Sequence, residues 1–248
     1  MANRVTGSKT RKPKSQQEEP RDANELLESP DALRDRLTGT EDFVKNNAGL
    51  LTGLALAIAL LIGGFFGYRY YLDNQNDTAQ EEMFQAVFYF EADSLNLALN
   101  GDGNNYGFLE IIDEFGGTDA ANLAHYYTGV IYLKQGDYEE AITHLEDFSS
   151  SDLLVQAKAY ALVGDAYMEL EQYGKAAEQY EKAADYEPNQ FFTPQYLEKA
   201  ALAYQANDNL SSAAAAYERI VNEFPLANEF QEAQKQHARL QAMTGGNK

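Results

Sequence analysis

The chain contains no cysteine among its 248 residues and only three histidines. The lack of cysteine excludes disulfides, thiol nucleophiles and an acylated lipoprotein anchor. His125, His144 and His237 lie far apart in sequence, and neither a G-x-x-x-x-G-K-[ST] phosphate loop nor an H-E-x-x-H pair occurs. We therefore expect a protein that is not an enzyme and has no cofactor, no metal site and no small-molecule substrate.

One loop, which runs Asn-Gly-Asp-Gly-Asn-Asn from Asn100, has oxygen-bearing side chains at alternate positions, as calcium loops do. Asn105, however, occupies the place of the invariant glycine, and Ile111 occupies that of the bidentate glutamate. We interpret this loop as a flexible interhelical turn.

Basic residues are scarce: 19 Lys and Arg against 39 Asp and Glu give a formal net charge of −20. Residues 1–68 hold nine basic and nine acidic residues, so the remainder, with 10 basic and 30 acidic residues, carries the whole excess. Such a domain is repelled by nucleic-acid phosphates and anionic lipid surfaces, and we expect no nucleic-acid partner. The acidity fits either a solvated surface or an acidic groove for cationic clients.

The 23 residues between Lys45 and Arg69 carry no charge. About 20 apolar residues at a rise of 1.5 Å each cross a bilayer core, so we predict a transmembrane helix over residues 46–72. Aromatic residues suited to the headgroup level crowd its end: Phe65, Phe66, Tyr68, Tyr70 and Tyr71. The alternative, a cleaved signal peptide, fits poorly because the apolar stretch starts late and ends in bulky residues.

The charges beside this segment predict its orientation. Arg34, Arg36 and Lys45 precede it, whereas the first basic residue after Arg69 is Lys134. Positive residues near a span tend to stay in the cytoplasm. We predict a single-pass inner-membrane protein with a cytoplasmic N-terminus and, in a bacterium with an outer membrane, a periplasmic C-terminal domain.

The sequence divides into six predicted segments. These are a disordered cytoplasmic tail (1–38), a juxtamembrane segment (39–45), the transmembrane helix (46–72), a long helix with a degenerate first repeat (73–117), the repeats (118–226), and a capping helix with a tail (227–248). A short amphipathic helix from about Asp31 to Lys45 leads into the span. Within the fourth segment we expect one helix over residues 74–99, paired with a second from Tyr106 to Phe115. The apolar residues of the first helix should be buried: Met83, Phe84, Val87, Phe88, Phe90, Leu95 and Leu97.

Three segments, which begin at Leu123, Lys158 and Gln195, resemble one another at shifts of 35 and 37 residues. The matching positions are Gly129, Gly164 and Ala201; Tyr132, Tyr167 and Tyr204; Ala141, Ala176 and Ala213; and Pro188 and Pro225. We expect the glycines and alanines to let two helices of a unit approach closely, the tyrosines to pack between units, and the prolines to stop each second helix. These residues resemble tetratricopeptide repeats (TPRs), which pair two antiparallel helices in about 34 residues. The predicted fold is all-α: a single transmembrane helix followed by a TPR-like α-solenoid of helix-turn-helix repeats.

The junction before the repeats carries a second resemblance. The phrase EDFVKNNAG, a Gly-rich apolar segment that closes on GYRYY, and an Ala/Phe-rich helix that leads into the repeats are similar to the YfgM-type ancillary subunits of the SecYEG translocon. This resemblance implies a type II inner-membrane protein. It also implies association with the translocon and with a PpiD-like membrane-anchored periplasmic chaperone, and assistance to newly exported proteins.

Two sets of residues are candidates for protein contacts. Small residues follow the span at helical spacing: Gly49, Gly53, Ala55, Ala59, Gly63 and Gly67, with Ala57 nearby. They would let another helix approach in lipid, although small residues are common in spans anyway. The predicted concave groove of the repeats is mixed apolar and acidic: Tyr126, Val130, Lys134, Ala161, Asp165, Met168, Glu169, Glu198, Leu202 and Gln205. It would hold an extended client with apolar and basic side chains, unless these residues merely face solvent.

Two functions remain open at this stage. The first is an interaction module that couples the translocon to a chaperone. The second is a structural adaptor in another envelope-spanning secretion, division or outer-membrane-assembly complex, in which the span is only a tether.

Overall fold

The computed structural model describes residues 43–245. The predicted disordered tail and most of the predicted amphipathic helix from Asp31 to Lys45 lie outside the described residues. The described chain divides into two compact units between Phe66 and Gly67. In this part of the chain the regular elements are all α-helices.

Helix α1, Ala48–Glu91, contains the uncharged segment. Its 44 residues make it far longer than the predicted span of residues 46–72, which begins two residues before α1 and covers only its first part. Apolar side chains of this first part are exposed, among them Leu50 at 70% and Leu60 at 76%. In water, each such side chain lacks the stabilisation of about 1.5–3 kcal/mol that full burial would give, and surrounding lipid would supply it. By length and composition, α1 can cross a membrane.

The helix predicted over residues 74–99 is interrupted. Helix α1 ends at Glu91, and a short helix α2, Leu95–Asn100, begins after a turn in which Asp93 has a φ of +55°. Aspartate tolerates this left-handed backbone conformation better than most residues. The prediction of one long helix was therefore wrong at Asp93.

Burial along this region also differs from the expectation. Four of the seven apolar residues expected inside pack into one hydrophobic cluster: Met83, Val87, Phe90 and Leu95. Phe84, Phe88 and Leu97 are instead 73%, 55% and 39% exposed. The expectation failed for these three because hydrophobicity alone does not say which flank of a helix meets the core.

Eight further helices follow in the described residues. They are α3 (Phe108–Glu114), α4 (Asp119–Gln135), α5 (Tyr138–Asp147), α6 (Leu153–Glu169), α7 (Tyr173–Asp185), α8 (Thr193–Ala206), α9 (Leu210–Glu223) and α10 (Phe230–Gly245). The pairs α4–α5, α6–α7 and α8–α9 form three units, and the second helix of each pair also packs on the next helix in the chain. The array is a TPR-like α-solenoid.

The same turn joins the two helices of each unit. Gly136, Glu171 and Asp208 adopt left-handed backbone conformations, with φ of 86°, 57° and 56°. The amide after each of them donates to a carbonyl oxygen five residues earlier, that of Tyr132, Tyr167 or Tyr204. The turn after α1 repeats this bond between the Ser94 amide and the Tyr89 carbonyl. The helix predicted from Tyr106 to Phe115 is α3, and its Phe108 and Ile111 pack into the same hydrophobic cluster as residues of α1.

In two of the units, a glycine brings the two helices of the unit into close contact. A Cβ atom on Gly129 would lie 2.5 Å from Leu145 Cγ, and one on Gly164 would lie 2.7 Å from Cε1 of the Tyr180 ring. The alanines at the matching second-helix position are fully buried: Ala141, Ala176 and Ala213. Tyr132, Tyr167 and Tyr204 are half-buried against the hydrophobic clusters. Small side chains therefore set the spacing within units.

Candidate protein-binding groove

A cavity of about 370 Å³ opens among the first helices of the three units. It is lined by Tyr126, Leu154, Val155, Lys158, Ala161, Phe192, Gln195, Tyr196 and Lys199. Leu154 is 52% exposed and Phe192 is 39% exposed, so apolar groups in this wall are open to a partner. The charged side chains among them are both lysines, although the domain as a whole is strongly acidic.

A hydrogen-bonded cluster fixes one of these lysines. Lys199 Nζ lies 2.5 Å from Asp165 Oδ1, and the Tyr180 hydroxyl donates to the same oxygen at 2.6 Å. Burial, followed by the hydrogen bond to Asp165, raises the pKa of Tyr180, which therefore stays protonated and continues to donate. The negative charge of Asp165 is thus already paired with Lys199. In contrast, exposed Lys158 has no ion pair with any residue that the structure describes.

Two more cavities share residues with the first. One of about 460 Å³ meets it at Lys199, and one of about 190 Å³ shares Phe192 and Gln195 with it. The smaller cavity is also lined by Gln190, whose buried Nε2 donor has no hydrogen-bond partner in the described chain. We call this continuous track of three cavities the groove.

Half of the predicted groove residues line this track: Tyr126, Ala161, Asp165, Met168 and Glu169. The other half line none of the three cavities: Val130, Lys134, Glu198, Leu202 and Gln205. Lys134 binds Asp93 at 3.0 Å, in the turn after α1. Gln205 accepts a hydrogen bond from Arg239 of α10. Burial and two carboxylates near the start of α10 raise the pKa of Glu198.

Several lining residues were missed: Leu154, Val155, Lys158, Phe192, Gln195, Tyr196 and Lys199. A signal for two of them was present. Lys158 and Leu154 precede Ala161 by about one and two turns, so they share its helix face. The expected mixture of apolar and acidic side chains describes only the part of the groove around Asp165 and Glu169, and the central cavity is apolar and basic.

The small residues of α1 have free space around them. A Cβ atom on Gly49, Gly53, Gly63 or Gly67 would meet no described atom within 4 Å. The helix backbone there is accessible to another helix.

The first unit contains a histidine pair. His125 Nδ1 on α4 and His144 Nδ1 on α5 are 3.0 Å apart, and the Tyr132 ring stacks on His144 with centroids 5.6 Å apart. Burial lowers the pKa of both imidazoles, and for His144 the neighbouring His125 lowers it further. No group of three or more His, Asp or Glu side chains able to hold a metal occurs within residues 43–245.

The loop from Asn100 closes on its own aspartate. The Asp102 carboxylate accepts hydrogen bonds from the Tyr89 hydroxyl at 2.7 Å and from the backbone amides of Asn104 and Asn105 at 2.8 Å. The bond from Tyr89 is the largest cause of its lowered pKa. These oxygens serve the turn itself.

Comparison with known proteins identifies the repeats. Models of the tetratricopeptide repeat match residues 123–147, 157–190 and 195–227. These three units are TPR-like repeats. No curated protein matches the chain. Two solved structures of a putative kinesin light chain with nearly identical TPR-like repeats from Podosopora anserina, one of them a Q17M variant, each align at 15% identity with a TM-score of 0.48. Each alignment covers 69% of this chain and 89% of the other.

TPR domains typically mediate contacts between proteins and lack catalytic activity. The array is accordingly a protein–protein interaction domain.

Proposed function

We propose that the protein is a membrane-anchored interaction module that associates with the Sec translocon and a PpiD-like periplasmic chaperone to assist newly exported proteins. One observation carries the proposal: a helix apolar enough to cross a membrane precedes TPR-like repeats that contain an open apolar groove. The resemblance of about residues 41–240 to YfgM-type subunits supports the assignment to protein export. Its role is recognition and not catalysis.

The proposed topology places the N-terminus in the cytoplasm and the repeats in the periplasm. It is supported by the absence of basic residues between Arg69 and Lys134. Because the chain lacks cysteine, Ser15→Cys and Thr244→Cys each provide a unique thiol. In intact spheroplasts, an impermeant maleimide should label only the second variant. Labelling of the Ser15→Cys variant alone would show the opposite topology, with the N-terminus outside the cytoplasm.

The small residues of α1 provide the proposed contact with a translocon or chaperone helix. Gly63→Leu with Gly67→Leu adds bulk to this face, so co-purification with SecYEG in mild detergent should be lost while membrane insertion persists. Gly64→Leu, one residue off the line, is the matched control. Unchanged co-purification of the double variant would refute the contact.

Exchange of the span distinguishes between the two candidate functions, the translocon-associated module and the structural adaptor in another complex. With an unrelated transmembrane helix in place of residues 46–72, the proposed function predicts loss of translocon association. Retained cellular function after the exchange would favour the adaptor.

The groove is the proposed client site. Leu154 and Phe192 offer apolar surface, the Gln190 amide can donate to a main-chain carbonyl, and Lys158 can bind a carboxylate. An unfolded, acidic test protein such as reduced carboxymethylated α-lactalbumin should bind. Leu154→Asn with Lys158→Glu should weaken its binding, whereas Leu202→Asn, an exposed residue outside the groove, should not.

A further inference from the structure

Helix α1 has two unlike flanks beyond Gly67. Ala79, Met83 and Ala86 are at most 7% exposed and pack into a hydrophobic cluster. Phe84 and Phe88 lie on the other side of the helix and are 73% and 55% exposed. Because the first flank is fixed in the core, the helix cannot rotate to cover the phenylalanines.

The exposed flank has a regular pattern. Asp77, Glu81, Phe84, Phe88 and Glu91 follow one another at intervals of four, three, four and three residues. At 3.6 residues per turn they fall within an arc of roughly 80°. This spacing is that of the positions which meet a neighbouring helix in helix–helix packing. We call these five residues the acidic–aromatic stripe.

The two rings expose a substantial apolar area. With about 200 Å² for each phenylalanine, their exposed fractions amount to roughly 250 Å². The carboxylates of Asp77, Glu81 and Glu91 border this apolar patch, and an apolar centre with a polar rim is the arrangement found in protein interfaces.

The charges of the stripe select its occupant. No Lys or Arg occurs between Arg69 and Lys134, and none of the three carboxylates of the stripe has an ion pair with a described residue. A second copy of the chain would place Glu81 opposite Glu81 in a parallel pair, or opposite Glu91 in an antiparallel pair. Either arrangement brings like charges together. The stripe therefore favours a basic partner over self-association.

We propose that the acidic–aromatic stripe docks one amphipathic helix of a partner protein. That helix carries two apolar residues three or four positions apart, with Lys or Arg one turn before and one turn after them. The apolar pair packs on Phe84 and Phe88, and the basic residues pair with Glu81 and Glu91. The site is separate from the groove and does not depend on the partner's being a translocon subunit.

The test uses the full chain in zwitterionic nanodiscs, with empty nanodiscs as the blank. The probes are two labelled synthetic helices that have the same central leucine pair, flanked by lysines in one and by glutamates in the other. The lysine probe should bind more tightly. Phe84→Ala with Phe88→Ala should weaken its binding by about tenfold or more, as expected for loss of buried aromatic anchors. Leu202→Ala, which removes an apolar side chain that is 50% exposed and lies outside the groove, should leave the binding unchanged.

Charge reversal gives the sharper result. Glu81→Lys with Glu91→Lys should transfer the preference from the lysine probe to the glutamate probe. Equal binding of both probes to the unmodified chain, or full binding after loss of both phenylalanines, overturns the proposal. The proposal is also overturned if light scattering detects a dimer of the unmodified chain that the Phe84→Ala with Phe88→Ala variant does not form, because the occupant of the stripe is then a second copy. The double alanine variant should unfold at the unmodified temperature, and a clear decrease would assign the two rings to the protein's own core.

Discussion

Gly164→Ala tests whether glycine sets the helix spacing in the second unit. The added Cβ would lie 2.7–3.0 Å from three atoms of the Tyr180 ring, which is only 3% exposed. The ring cannot easily move, because its hydroxyl is bound to Asp165 and Lys199 lies over its face. The helices must separate or this hydrogen bond must be lost.

The magnitude follows from two opposing effects. Insertion of a methyl group into a packed contact costs about 1–3 kcal/mol. Replacement of glycine by alanine within a helix contributes about 1 kcal/mol of stability. The third unit already has Ala201 at the equivalent position, so the spacing can adapt somewhat. We expect a net loss of about 1 kcal/mol in the free energy of unfolding, a fall in Tm of roughly 2–4 °C.

Urea unfolding of the full chain in detergent micelles, followed by circular dichroism, measures this loss. Gly174→Ala is the matched control, because its Cβ would meet only the flexible end of Asn207 at 3.4 Å and the substitution should be neutral or stabilising. In a Tyr180→Ala background, Gly164→Ala should become stabilising. The spacing argument fails if Gly164→Ala stabilises the unmodified chain as much as Gly174→Ala does.

Three further predictions concern stability and are measured in the same assay. The pKa values of His125 and His144 in the folded chain are below the ordinary 6.5, so the unfolded chain binds more protons at these residues than the folded chain does. Their contribution to stability should therefore be full above pH 6.5 and decline as the pH falls through the lowered values. His125→Gln with His144→Gln should flatten this decline, and an unchanged pH profile would contradict the argument. Asp152 accepts from the amides of Leu154 and Val155, so Asp152→Ala should cost about 1 kcal/mol; Asp137→Ala, at a helix start without such a bond, should cost less. Glu171→Gly should stabilise by about 0.5–1 kcal/mol because Glu171 has a φ of +57°, whereas Gly136→Ala should destabilise.

The repeats could be predicted because their signals are local and recur. Glycine at 129 and 164 and alanine at 141 and 176 leave room for a neighbouring helix, and that need is the same in each unit. A single sequence therefore supplies several examples of one packing requirement. Segments that do not recur in the chain offer no such comparison, so their packing could not be predicted in this way.

The turn at Asp93 was missed although its signal was present. Asp93, Ser94 and Leu95 have the same order of residue types as Asp208, Asn209 and Leu210, which form the turn of the third unit. The surrounding residues are hydrophobic enough to continue a helix, and that property dominated the prediction. The backbone conformation of one aspartate decides between one helix and two.

The exposure of Phe84 and Phe88 could not be predicted from hydrophobicity. Met83 and Phe84 are neighbours about 100° apart around the helix, and only the core partners decide which of them is buried. Because Ala79 and Ala86 occupy the inner flank, the larger rings remain outside.

The central cavity of the groove shows the limit of repeat register. The prediction copied the same positions from each first helix, on the assumption that every unit presents the same face. A cavity between the first helices of two successive units instead takes the facing flanks of both: Lys158 and Ala161 from α6, but Tyr196 and Lys199 from α8. Ala161 corresponds to Glu198, one residue away from Lys199, and a shift of one residue rotates a side chain by about 100°. The copied position therefore supplied a carboxylate at a place where the cavity has a lysine, which reverses the charge expected of a bound segment.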